Sequence, residues 1–201
     1  MSSLLEGLMG QLGGSVLGQL GQQAGVSENQ VGSVVQSVLP ALLGGLSRNA
    51  QSGTGANALM GALDRDHDGS VLDDLAGFLG SGNAQSDGQK ILGHVFGGRE
   101  QKLQQNLGQQ AGMSSEAVGK VMAMLAPVVM GALGREKRQQ GLDVSTLAGM
   151  LGQQTQQIEK QQPAVMGLLS GLMDADGDGD VDASDIARKG VGLLGRLFGR
   201  R

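Results

Sequence analysis

The hexapeptide LGQQAG occurs twice, at residues 20–25 and 107–112, and the 87-residue register between the copies persists well beyond it. Ser27 matches Ser114, Val31 matches Val118, Gly32 matches Gly119, Pro40 matches Pro127, Gly44 matches Gly131 and Leu46 matches Leu133. Farther on, an acid cluster starting at Asp64 matches one starting at Asp174 at an offset of 110, so the second copy carries 23 extra residues. A chain with this register is predicted to be an internal duplication, and each half must then fold in a way the other can follow. The expected organisation is a first repeat over 1–86 and a second over 87–201, with an inserted helix over 142–160.

Each copy reads as helices. Leu5, Leu8, Leu12, Val16 and Leu20 recur at spacings of three and four, the signature of one helical face. Gly7, Gly10, Gly14, Gly18 and Gly21 share that segment. Each glycine costs about 1 kcal/mol against alanine inside a helix, so close approach by another helix is expected to offset them. Ser27 to Gln30 form a capping box that opens the next helix, and Ser114 and Ser115 open its counterpart. Pro40 and Pro127 are predicted to kink these helices. Polar linkers are expected at 47–57 and 80–88. The fold class is therefore all-α, built from duplicated helical units.

Composition narrows the function. The core must be made of Leu, Val, Met and Ala, because 201 residues include three Phe and neither Trp nor Tyr. Residues 1–100 carry 4 basic and 9 acidic groups, and residues 101–201 carry 11 and 10, so no broad basic face suited to nucleic acid is evident. With no cysteine and only His67 and His94, the usual nucleophile and base pairs have few members, and the protein is expected not to be an enzyme. Neither a signal peptide nor a membrane span is recognisable, since the longest uncharged apolar run, 121–133, is 13 residues and contains Pro127. Localisation stays undetermined, cytoplasmic by default.

The acid clusters carry the chemistry. A calcium loop supplies hard oxygen ligands from positions 1, 3, 5, 7, 9 and 12, with glycine at 6 for a sharp turn. Counted from Asp174, those ligands are Asp174, Asp176, Asp178, the Asp180 carbonyl, Asp182 through water, and Asp185, with Gly179 at position 6 and Val181 at position 8. In the first copy Asp64, Asp66, Asp68 and the Ser70 carbonyl fall in the same register, with Gly69 and Val71 in place. Position 12 is Leu75, so Asp73 or Asp74 would have to close this loop over 64–75, and weaker binding is expected. His67, at position 4, is expected to point into solvent, and His94 to sit on a helix. Val71 and Val181 would lie together if the loops pair, or far apart if each copy closes on itself.

These two segments resemble EF-hand and dockerin-type calcium loops. The whole chain, with its glycine-rich LGQQAG and LPALLGGL stretches ahead of LDRDHDGSVLDDL, resembles the bacterial domain-of-unknown-function 937 family, most clearly over residues 1–80. That resemblance implies a bacterial origin and no assigned activity. The expected function is a calcium-binding structural or interaction protein whose ions rigidify helix-loop-helix units, with a protein partner or a second copy as binding partners. The alternative is a peripheral membrane-binding or self-assembling protein, using the glycine-rich helices and the basic stretch RKGVGLLGRLFGRR at 188–201.

Overall fold

Two tight turns, one after each LGQQAG copy, organise the molecule. The computed structural model describes residues 4–173, and every regular element among them is helical. In chain order these are α1 Leu4–Gln11, α2 Gly14–Ala24, α3 Glu28–Gln51, α4 Gly53–Arg65, α5 Leu75–Gly80, α6 Asn83–Phe96, α7 Glu100–Ala111, α8 Ser115–Gln140, α9 Val144–Gln161 and α10 Pro163–Met173. Single 3-10 turns lie at Ser70–Leu72 and Gly97–Arg99.

The α2–α3 and α7–α8 turns are built alike. Each leading helix ends at a glycine with positive φ, 74° at Gly25 and 64° at Gly112. The Val26 N–H donates to the Gly21 carbonyl and the Met113 N–H to the Gly108 carbonyl, both at 2.9 Å. A Cβ at Gly21 or Gly108 would stand 2.8 or 2.7 Å from the next turn's carbonyl oxygen, too close for any other residue. The caps differ in one respect. Ser27 and Gln30 cap each other's backbone N–H groups, whereas Ser114 only accepts the Ala117 N–H, at 3.1 Å.

Helix α8 runs through the centre, buried without interruption from Val121 to Gly134, and packs chiefly on α6, α7 and α3. Helix α3 lies beside it against α9, α2, α4 and α10. One core reaches from Leu8 to Leu169 and draws on residues before and after position 86. Leucine, valine and alanine fill it together with Met122 and Met124, each buried leucine contributing roughly 1.5–3 kcal/mol. The ring of Phe96 enters this core over Gly45, where a Cβ would come within 2.6 Å of it. Gly88 lets α6 touch the α8 backbone, since a Cβ there would fall 1.6 Å from the Ala123 carbonyl oxygen.

Several expectations change. The first apolar face is divided between α1 and α2, because the chain turns extended at Gly13 (ψ 172°), where two adjacent glycines make helix weakest. Among the described residues its glycines are not a helix-packing stripe: a Cβ at Gly7 or Gly10 would meet no atom within 4 Å, and Gly21 alone of the five meets backbone, that of its own turn. The linker at 47–57 is helical apart from Ser52, which ends α3 and caps α4 by accepting the Gly55 N–H at 3.0 Å. The one at 80–88 shrinks to Ser81 and Gly82 ahead of α6. The helix expected over 142–160 is present as α9, capped by Asp143, and α3 and α8 each contain their proline within one helix. These two helices are long and apolar enough to cross a membrane, but their apolar stretches are 72% and 89% buried in this fold.

Candidate functional site

The acidic loop between α4 and α5 is the part of the chemistry that falls within the described residues. The second loop, Asp174 to Asp185 with Val181, and the basic stretch at 188–201 lie outside them. Helix α4 ends as the Asp66 and His67 N–H groups both reach the Ala62 carbonyl, at 3.0 and 3.2 Å. Asp68 then accepts the Ser70 N–H at 3.0 Å. Gly69 adopts φ 94° and ψ −3°, a left-handed conformation that favours glycine at the sixth loop position. One 3-10 turn follows, and Asp74 caps α5 by accepting the Gly77 N–H at 2.9 Å.

This loop lies on the last turns of α8, at a place where that helix carries glycine. A Cβ on Gly134 would sit 1.8 Å from the His67 carbonyl oxygen, and one on Gly131 would sit 2.4 Å from Val71 Cγ1. From the same helix face comes a row of cations. Arg135 donates to the Gly69 carbonyl at 3.0 Å and pairs with Asp73, Lys137 pairs with Asp64, and Arg138 pairs with Asp68 at 3.2 Å. Lys137 is only 15% exposed, so its charge is committed to the loop. An ion pair near a surface contributes at most about 1 kcal/mol, so the glycine contacts decide where the loop sits and the charges hold it there.

The structure gathers some of the predicted ligands and separates others. Asp66, Asp68, Ser70 and Asp74 line one cleft of about 370 Å³, together with His67, Phe78 and Asp87. Asp64 and Asp73 turn instead to Lys137 and Arg135. Among the described residues no group of three or more His, Asp or Glu side chains is disposed to hold a metal ion. The oxygen donors are of the type calcium takes, but Asp64, Asp68 and Asp73 are paired with α8 cations and the Ser70 carbonyl accepts the Asp73 N–H at 3.0 Å. The Ser70 N–H and hydroxyl hold the Asp68 carboxyl below its ordinary range, with a further contribution from Arg138.

His67 departs from expectation. It is half-buried, and burial pushes its pKa down, opposed by Asp66 and Asp87. With Asp66 and Asp87 it separates the first cleft from a second of about 790 Å³, whose apolar floor includes Leu59, Ile91 and Met130 and whose rim carries Arg65, Lys90 and His94. His94 lies on helix α6 as expected, but it is exposed and not packed or half-exposed. Reading the sequence missed Gly131, Gly134 and the row Arg135, Lys137 and Arg138. The available signal was charge: the run REKR at 135–138 complements the acid run at 64–74.

No curated protein and no solved structure matches the chain. Residues 6–136, more than half of it, match the model of a family described as a bacterial protein of unknown function, DUF937. The matched span takes in the acidic loop and the α8 glycines beneath it. The chain therefore belongs to the DUF937 family of bacterial proteins.

Proposed function

We propose that the protein is a duplicated helical scaffold that binds calcium through its two acidic loops and acts by presenting ordered helix-loop-helix units, not by catalysis. The observation that carries this reading is the first loop itself. Asp64, Asp66 and Asp68 alternate along a segment between two helices, and Gly69 takes the left-handed turn that a calcium loop needs at its sixth position. The duplication is supported by the matched turns at Gly25 and Gly112 and by the matched serine caps. The second loop is assigned from its sequence, where five side-chain carboxylates and Gly179 occupy the required register.

Calorimetric titration of metal-free protein with calcium chloride tests the reading. Binding is expected on the order of 10⁻⁶ to 10⁻³ M, the range of sensor and extracellular loops. Asp174→Ala with Asp178→Ala removes the stronger component, and Asp66→Asn with Asp68→Asn removes the weaker one. Heats unchanged by both pairs of substitutions overturn the assignment.

A further inference from the structure

We propose that the groove between α4 and α6 is the docking surface for this chain's own C-terminal segment, Arg188 to Arg201. Both helices pack on α3 and α8, and the second cleft lies between them. Ala58, Leu59 and Ala62 form its α4 wall, Ile91 and Val95 its α6 wall, and Met130 lies at its floor. From Gly55 to Asp66 the groove runs about 16 Å, at the helical rise of ~1.5 Å per residue. The occupant is identified by pattern, charge and reach. Val191, Leu194 and Phe198 recur at spacings of three and four, so as a helix they present one apolar face about 10 Å long, which fits within the groove. The segment carries Arg188, Lys189, Arg196, Arg200 and Arg201 and no acid. Residues 46–96, which supply every wall except Met130, carry Arg48, Arg65 and Lys90 against six aspartates. Lys90 is neutralised by Asp87 at 3.0 Å, and Arg65 folds back over Gly61. Asp66 in the groove and Asp74 in the adjoining first cleft make no ion pair among the described residues and are open to the incoming bases. The chain also leaves α10 close by. Arg48 near the end of α3 donates to the Ser170 hydroxyl, and Asn49, next to it in the chain, lines the groove. The 14 residues 174–187 reach up to about 46 Å when extended, several times the roughly 10 Å thickness of the helix to be crossed. Seated there, the segment ties the end of the second repeat to the first and withholds its apolar side chains from a lipid surface or a second copy. Docking needs no metal.

Thiol accessibility in the full chain tests this, since the sequence has no cysteine of its own. Ala58→Cys places a thiol in the groove, and Gln89→Cys places an exposed one on α6 that does not line it. Adding Val191→Asp and Leu194→Asp breaks the apolar face of the segment. Maleimide alkylation at position 58 is then expected to speed up several-fold, while the rate at position 89 stays unchanged. Asp66→Asn with Asp74→Asn is expected to act in the same direction, because asparagine keeps the cap on α5 and removes only the charge. Lys90→Cys, at a groove side chain 70% exposed, takes the place of Ala58→Cys if that variant loses helicity. Mild oxidation of Ala58→Cys with Leu194→Cys is expected to give a disulfide within one molecule, and Gln89→Cys with Leu194→Cys to give none. A groove thiol whose rate ignores the Val191 and Leu194 substitutions overturns the proposal, as does equal crosslinking at positions 58 and 89. A disulfide joining two molecules also overturns it and assigns the groove to a second copy.

Discussion

Helices α1 and α8 both carry glycines at helical spacing, yet their surroundings are opposite. Among the described residues, Gly7 and Gly10 on α1 have nothing within 4 Å of where a side chain would begin, whereas Gly131 and Gly134 on α8 lie directly under the acidic loop. In the first case glycine weakens a short helix with no packing in return. In the second the missing side chain is what lets a loop backbone rest on the helix. A glycine pattern therefore carries information only when the opposing surface is known.

Substitutions sharpen this contrast, and the largest effect belongs to α6. In Gly88→Ala the new methyl group meets a backbone oxygen that cannot yield, so the loss by chemical denaturation is expected to reach about 3 kcal/mol, the upper part of the overpacking range. Gly134→Ala is expected to cost less, about 2 kcal/mol, because the loop it strikes can lift while α8 stays in place. The two caps come next. Ser27→Ala and Ser114→Ala each lose a helix cap worth about 1 kcal/mol, and Ser27→Ala is expected to lose more because the Ser27 hydroxyl also donates to Gln30 Oε1, at 2.9 Å. The smallest change has the other sign. Gly7→Ala is expected to stabilise by about 0.5 kcal/mol, as alanine favours helix and meets no neighbour. A loss at Gly7 equal to that at Gly134 would erase the distinction between the two helices.

Local chemistry was legible in the sequence. Ser27 with Gln30 marks a helix start whatever surrounds it, and Gly69 after three alternating aspartates marks a left-handed turn. The uncharged run at 121–133 announced the buried centre of α8, and the stripe of Leu147, Leu151 and Ile158 announced α9. Contacts between distant segments were not legible. Nothing near Gly134 in the chain says that the His67 carbonyl lies above it, and the linker at 47–57 became helix because Leu46 and Ala50 are buried, overriding weak local propensities. The clasp from Arg135, Lys137 and Arg138 joins residues 62 to 73 positions apart, so only their complementary charge was visible.

The docking of the loop on α8 is the claim on which the rest depends, and disulfide trapping tests it most directly. The chain has no cysteine, so Val71→Cys with Gly131→Cys introduces a single pair where the Val71 side chain meets α8 at Gly131. Mild oxidation is expected to join the two thiols within one molecule while helicity is retained, and to protect both from alkylation. Two freely alkylated thiols in a folded, oxidised sample would place the loop away from α8 and contradict the account.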